Sequence, residues 1–467
     1  MDKVDIDQKI EDKTAVIAVI GLGYVGLPTA VNFAENGFSV IGVNRTQSKV
    51  DLINAGGCYL TDLNLDERVK RLVERGKLTA TIDTADATRK SDVISITVPT
   101  PVTSDKRPDL SFITSAGRAI ARGLGLNKLV VLESTVYPGV VEEVLKPILE
   151  ESGLKAGVDF GLAYCPERYN PGDADHGIRD VVRVIGGITP EWAQATAQLY
   201  KSNAKDVVVV KDIRTAEAAK VIENIQRDLN IALMNELALI FERLHIDIMD
   251  VIKAASTKWN FNVYYPGAGV GGHCLPVDPY YLVNKAEELG YHSQMITAGR
   301  AINDYMPLHV FQLVADALNE QERAVNDSKI AVLGLSYKEN VGDPRESPSK
   351  VVVEELKKRG AQVHLVDPYV DEQTLRALAI PEATAYDALA AADALVLMTA
   401  HRDFARLDLR KIKGLMRTPV IVDGRRFFDP ETAAKLGFTY KGVGAKNGGP
   451  YTPLPEYAPN PLGYFSR

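Results

Sequence analysis

Val16-Ile-Ala-Val-Ile20, Gly21-Leu-Gly-Tyr-Val-Gly26 and the helix-forming run Pro28–Asn36 follow one another without a break near the start of the chain. A short β-branched run, a G-x-G-x-x-G turn and a helix start make up the dinucleotide-binding arrangement. The first glycine permits the turn, and the second lets a pyrophosphate approach the backbone. The third lets helix and strand pack closely, while the helix N-terminus supplies positive potential. Gly21, Gly23, Tyr24, Val25 and Gly26 are therefore expected to bind a cofactor. Thr14–Ala34 carries no charge and is long enough on paper for a bilayer span. Its glycines, Pro28 and the acidic lead Met1–Lys13 favour a buried strand, turn and helix instead.

Moving outward, Phe38–Val43 reads as a second strand. The acid expected at its end, which would bond both ribose hydroxyls and repel a 2′-phosphate, is replaced by Asn44, with Arg45 next. Asn can bond the ribose but does not repel, and Arg45 could pair with a phosphate, so this position leaves NAD and NADP both open. Further strands are expected at Val93–Val98, Leu129–Leu132 and Val207–Val210, with helices between them. That alternation implies a mostly parallel, doubly wound sheet.

Thr215–Leu244 contains no Gly or Pro and is rich in helix formers. Thirty such residues make a helix about 45 Å long, read as a spine between domains, and helical patterning continues with interruptions to about Ala317. The opening pattern then returns: Lys329–Leu333 leads into Gly-Leu-Ser-Tyr, and Val363–Val366 ends at Asp367. The expected fold class is α/β, two Rossmann-like doubly wound domains joined by a long central helix. The boundaries read as a polar extension 1–13, a dinucleotide-binding domain 14–211, a central helical domain 212–318, a second Rossmann-like domain 325–445 and an irregular tail 446–467.

Composition sets the class. The 467 residues are 46% hydrophobic and 25% charged, with a net charge of −7, which is ordinary for a globular protein. The acidic balance argues against a nucleic-acid or membrane partner. Three cysteines, Cys58, Cys165 and Cys274, form no zinc or disulfide pattern; no metal site is expected, and a reducing, cytoplasmic setting is.

Gly271-Gly-His-Cys274-Leu-Pro-Val-Asp278 is the most informative segment. Glycines beside Cys274 leave its backbone approachable, as a covalent site requires. Asp278 could face the thiol if this were the first turn of a helix, whose N-terminus would favour the thiolate. The alternative is a buried apolar cysteine, the reading kept for Cys58 and Cys165. Lys220, Asn224 and Arg227 share one face of the long helix. That stripe is either a solvated charged face, with Glu217 and Glu223 as partners, or the lining of a cleft for an anionic substrate.

With these residues in view, the chain resembles the UDP-glucose/GDP-mannose dehydrogenase family from about Thr14 to about Pro430. The likeness rests on Gly21–Pro28, Val98–Pro101, Glu133-Ser-Thr-Val-Tyr-Pro-Gly139, Pro166-Glu-Arg-Tyr-Asn-Pro-Gly172, Ala216–Glu236, Gly269–Leu282, Gly334–Pro348 and Asp423-Gly-Arg425. His273, Leu275 and Val277 around the cysteine, and the Pro166–Gly172 block, resemble the UDP-N-acetylhexosamine 6-dehydrogenase branch of Vi-antigen and O-antigen pathways. The resemblance implies NAD, ahead of NADP, and a homodimer formed through the central helices. The product would enter surface-polysaccharide synthesis.

The resemblance also implies a four-electron oxidation of the sugar C6 alcohol to a carboxylate, through a thiohemiacetal and a thioester on Cys274. Of the epimers, UDP-N-acetylglucosamine is expected ahead of the galacto and manno sugars. A two-electron hydroxyacid dehydrogenase or a non-catalytic nucleotide-sugar binder are the rival readings. Lys220 would stabilise oxyanions, Asn224 would donate a hydrogen bond and Asp278 would hold water and Lys220. Glu167 and Thr135 would position water and support general-base steps. Thr100, Thr135 and Arg345 join the cofactor set. Glu167, Arg168, Tyr169, Asn170, Lys220, Asn224, Arg227, Lys258, Tyr264, Gly271, Lys338 and Arg425 form the substrate set.

Overall fold

The computed structural model describes residues 4–60, 65–168 and 179–446. Tyr169 and Asn170, expected in the substrate set, and the expected tail beyond Lys446 lie outside the described residues. The chain divides into two compact units, Met1–Glu223 with Tyr280–Leu289, and Asn224–Pro279 with Gly290–Arg467.

In the first unit the strands are β1 (Val16–Ile20), β2 (Ser39–Val43), β3 (Leu78–Thr81), β4 (Val93–Ile96), β5 (Leu129–Leu132), β6 (Gly161–Tyr164), β7 (Val182–Gly187) and β8 (Asp206–Val209). They form one sheet in the order β3-β2-β1-β4-β5-β6-β7-β8. Every neighbour pair is parallel except β6 with β7. Ile17 pairs with Val40 on one side and Val93 on the other. Helices cover both faces, which is why β1 is apolar at successive positions, with Ile17, Ala18 and Val19 all buried. The stretch that resembled a bilayer span is thus β1, the glycine turn and the helix Gly26–Glu35. Among the described residues no helix is long and apolar enough to cross a membrane.

The sequence reading named no strand at β3, β6 or β7, nor further on at Ile380–Pro381, Ala394–Leu397, Val420–Asp423 and Thr439–Gly442, and for β6 and β7 the reason is identifiable. β6 opens on Gly161, where an added Cβ would meet the Trp192 ring at 2.1 Å, so a glycine stands where a β-branched residue would have signalled strand. β7 carries the buried Arg183 in its middle. At the N-terminus, where a polar extension was read, Val4–Glu11 is a helix that packs on Pro190–Tyr200. It buries Ile6 and Ile10, one turn apart.

The helix Ile213–Arg243, 31 residues long, runs through the boundary between the units. In the second unit a buried polar ladder fixes it. Asp228 pairs with Arg300 at 2.5 Å and accepts from Asn303 at 2.8 Å, and Asn235 donates to Asn303 at 2.8 Å. Arg300 and Asn303 lie on the helix Gln294–Asn319. Asn235 also accepts the Gly267 N–H at 2.9 Å, which anchors the irregular stretch 256–277 to the long helix.

The second sheet comprises β9 (Lys329–Leu333), β10 (Gln362–Val366), β11 (Ile380–Pro381), β12 (Ala394–Leu397), β13 (Val420–Asp423) and β14 (Thr439–Gly442), in the order β11-β10-β9-β12-β13-β14. Its strand order repeats that of the first six strands of the first sheet, so the similarity between the two openings reflects a repeated topology. Gly334 after β9 has φ +95°, as Gly21 after β1 has φ +105°.

Candidate active site

The turn after β1 fits a dinucleotide pyrophosphate. A Cβ on Gly26 would lie 1.9 Å from the Gly21 carbonyl oxygen, and one on Gly21 would lie 2.9 Å from that of Thr97. Nothing lies within 4 Å of a Cβ on Gly23, so two glycines are demanded by the protein and the middle one leaves room for a ligand. The Thr97 hydroxyl donates to the Gly21 carbonyl at 2.8 Å and ties the turn to β4. Tyr24 is exposed and Val25 half-buried where the helix begins. Thr100 and Thr135 come together: the Thr100 hydroxyl donates to the Thr135 carbonyl at 2.8 Å, and the Thr100 carbonyl accepts from Tyr281.

At the end of β2, Asn44 Oδ1 accepts the Thr46 N–H at 3.0 Å, and its Nδ2 donates to the Tyr59 hydroxyl at 3.2 Å. Tyr59 in turn donates to the Leu22 carbonyl, inside the glycine turn. Burial pushes the Tyr59 hydroxyl up to about 12, so it remains a donor at neutral pH.

Behind the loop that carries Glu167 lies a cluster of charges that sequence reasoning did not find. Arg183, fully buried, bridges Glu133 and Glu167. Ser95 and Tyr200 donate to Glu133 at 2.5 and 2.6 Å, and the Arg183 guanidinium lies 4.9 Å from the Tyr200 ring centre. Its Nε also reaches the Cys165 sulfur at 3.4 Å. Burial pushes that thiol up to about 12, so Cys165 is the inert structural cysteine expected. Glu167 accepts the Arg168 N–H at 2.7 Å through its other oxygen. With a cation on one oxygen and an amide on the other, Glu167 suits orienting a polar group better than removing a proton. Arg168 is held by Glu223 at 2.8 Å and by the Val182 carbonyl at 2.7 Å, and Lys220 is buried on the same unit.

In the second unit, Cys274 stands in a turn and not inside a helix. Its carbonyl accepts the N–H groups of Val277 and Asp278 at 3.0 and 2.8 Å, and the helix begins at Asp278. The cysteine is thus one turn ahead of the helix that Asp278 opens. Asn224 Nδ2 donates to Asp278 Oδ2 at 2.5 Å. Gly271 and Gly272 are required by Tyr337, since a Cβ on either would fall 2.6 or 2.7 Å from it. Burial pushes Tyr337 up to about 12, with the charges of Asp343 and Cys274 adding to the shift and those of Arg345 and Arg227 opposing it. Arg345 is clasped by Asp343, with contacts of 2.8 and 2.5 Å, and comes within 3.3 Å of His273.

Arg227 is exposed. The two acids beside it are engaged elsewhere, Glu223 with Arg168 and Asp228 with Arg300. Lys258 is exposed, Tyr264 packs on the unit's core and Lys338 is half-buried. Arg425 follows β13; a Cβ on Gly267 would meet its guanidinium at 2.9 Å. Burial lowers its pKa, and that guanidinium has no hydrogen-bond partner among the described residues. The charges of Glu339 and Asp423 oppose that shift, and a desolvated guanidinium with free donors suits an anionic ligand.

The second unit's counterpart of Asn44 is Asp367, and it is turned inward. It accepts the N–H groups of Leu335 and Ser336 and the Ser336 hydroxyl, all at 2.8 Å, and lies 3.1 Å from His401. Burial alone would raise this carboxyl, but the hydrogen bond and charge of His401, with the amides of Ser336 and Tyr369, outweigh it and hold it down at about 2. The acid that would bind a ribose instead braces the loop leading to Lys338.

The chain matches the UDP-glucose/GDP-mannose dehydrogenase family in three consecutive parts: its NAD binding domain over residues 15–204, its central domain over 214–305 and its UDP binding domain over 331–430. It is 40% identical to a UDP-N-acetyl-D-glucosamine 6-dehydrogenase of Pseudomonas aeruginosa, across 91% of this chain and 99% of that protein. It is 36% identical to an NDP-N-acetyl-D-galactosaminuronic acid dehydrogenase of Ralstonia nicotianae, across 92% and 100%. A solved UDP-D-ManNAc dehydrogenase from Pyrococcus horikoshii superposes with a TM-score of 0.86 at 35% identity, covering 93% of this chain and all of that one.

Proposed function

Because this chain belongs to the UDP-glucose/GDP-mannose dehydrogenase family, we propose that it oxidises C6 of UDP-N-acetylglucosamine from alcohol to carboxylate. Membership makes it an NAD-dependent oxidoreductase. Relatives named for the gluco, galacto and manno sugars all align along its length, which supports a UDP-N-acetylhexosamine as the substrate class. The gluco epimer is favoured by the 40% and 39% identities to two UDP-N-acetyl-D-glucosamine 6-dehydrogenases.

The observation that carries the chemistry is the turn at Cys274. A thiol flanked by glycine backbone lies one turn ahead of an aspartate bonded to Asn224. The Gly21–Gly26 turn would hold NAD, and two NAD molecules bound in turn would supply the hydride acceptor for the two oxidations. The remaining work belongs to the protein. Lys220 stabilises negative charge on the C6 oxygen. The Cys274 thiolate adds to the aldehyde carbon, giving a thiohemiacetal whose carbon can lose a second hydride. The resulting thioester is cleaved by water, which returns the thiol and leaves the carboxylate. Glu167, held in place by Arg183, orients that water, and Asp278 with Asn224 supports the proton transfers. Arg425 and Lys338 neutralise the diphosphate. Arg227 contacts the acetamido group.

The protein also acts as a homodimer in this reading. Ile222, Leu233 and Ile240 are all exposed on the long helix, and their spacing places them in one stripe, an apolar face that a second copy would cover. The test of substrate is kinetic. Purified protein with NAD should show its highest kcat/KM for UDP-N-acetylglucosamine among the gluco, galacto and manno N-acetyl sugars and UDP-glucose. A higher value for any other sugar contradicts the assignment.

A further inference from the structure

We propose that the ribose end of the cofactor site also takes a 2′-phosphate, so that NADP is a second dinucleotide for this chain beside NAD. The inference rests on the assignment of the Gly21–Gly26 turn to a dinucleotide and does not depend on which sugar is oxidised. In a site selective for NAD, the residue ending the second strand is a carboxylate that accepts from the ribose hydroxyls and repels a phosphate. Here that residue is Asn44, and its side chain is fixed by two bonds, accepting the Thr46 N–H at 3.0 Å and donating to Tyr59 at 3.2 Å. No negative charge stands at this position.

Two cations stand next to it. Arg45 is exposed, and its guanidinium lies 4.9 Å from the Phe112 ring centre. A stacked guanidinium keeps its edge donors available, and the ring limits the conformations it must give up on binding. Lys49, also exposed, lies 4.6 Å from the ring centre of Tyr59, the residue that braces Asn44. Between them Thr46 precedes the helix Gln47–Asn54, but its hydroxyl makes no capping bond to that helix. A neutral amide, a stacked arginine, a lysine and an uncommitted hydroxyl thus occupy consecutive turns of chain where an NAD-selective site keeps a carboxylate. This is the donor set that a phosphate dianion requires. Phe112 and Tyr59 lie far from Asn44 in sequence, so only the structure shows that the two cations are held in place.

Titration calorimetry of the purified full chain with NAD and with NADP, without sugar, tests this. NADP should bind within about thirtyfold of NAD. Arg45→Ala should weaken NADP by about ten- to hundredfold, the value of a hydrogen bond to a charged group, and change NAD by less than about threefold. Asn44→Asp should weaken NADP more than NAD. Raising the salt concentration should cost NADP more affinity than NAD. Wild-type binding of NADP more than about thirtyfold weaker than that of NAD would overturn the proposal, as would equal losses for both dinucleotides in Arg45→Ala. Absence of NAD binding to the wild type would overturn the dinucleotide assignment and this inference with it.

Discussion

Asp278, four residues after Cys274, accepts from Asn224, 54 residues away along the chain. With the thiol as nucleophile and the aspartate–asparagine pair as its support, substitution separates the two roles. Cys274→Ser should abolish formation of the acid while UDP-sugar affinity, measured by titration calorimetry, stays within about threefold of wild type. A normal rate of uronic acid formation by this variant would contradict covalent capture. Arg227 provides a second residue-scale test. It has no carboxylate partner among the described residues, since Glu223 and Asp228 are bound to other arginines, and its charge acts on Tyr337 beside Gly271. A hydrogen bond from a charged donor contributes about 1.5–3 kcal/mol. Arg227→Leu should therefore lower kcat/KM for the N-acetyl sugar by about ten- to hundredfold, with a much smaller effect on UDP-glucose. Equal losses for both sugars would mean that Arg227 does not read the acetamide.

At the scale of elements, the long helix and β7 each hold the site's loops through a buried charge. Glu217, on the first turns of Ile213–Arg243, accepts the Gly139 and Val141 N–H groups at 2.6 and 2.9 Å and so fixes the end of the loop carrying Thr135. Burial raises its carboxyl from 4.5 to about 7, against the pull of those two amides. The folded chain therefore holds more protons than the unfolded chain between these values. This group's contribution is fully present below pH 4.5 and is lost as pH rises to about 7. Denaturant titrations from pH 5 to 8 should show a falling stability component that is absent in Glu217→Gln; parallel curves would contradict it. Arg183→Met should strand Glu133 and Glu167 as buried unpaired charges and destabilise the first unit by about 3–5 kcal/mol, read from the denaturant midpoint. A shift near zero would mean that the cluster contributes nothing net. These two elements also mark how far the sequence could be read. The long helix was legible because it lacks Gly and Pro, and β1 because burial on both faces demands an unbroken apolar run. β7 was not, because Arg183 finds its partners at Glu133 and Glu167, 50 and 16 residues away, and a strand with a charge at its centre has no local signature. The same holds for the site. The Cys274 turn and the Asn44–Arg45 pair could be read from adjacent residues, whereas Tyr337, Phe112 and Tyr59 contribute only through folding.

For the whole molecule, the repeated strand order gives two similar frameworks with different roles. The first keeps an open glycine turn for a dinucleotide, and the second folds its Asp367 back onto its own loop. The exposed stripe Ile222, Leu233 and Ile240 adds a prediction about assembly. Sedimentation should report a dimer for the wild type, and Leu233→Glu with Ile240→Glu should shift it to monomer. A monomeric wild type would contradict the proposed role of that face. If both hydrides leave one sugar carbon by way of Cys274, the yield of reduced cofactor per sugar reports it. With NAD in excess and a limiting, known amount of UDP-N-acetylglucosamine, the absorbance of NADH at completion should correspond to two NADH per sugar consumed, with the uronic acid as product. One NADH per sugar, with an aldehyde released, would contradict the claim.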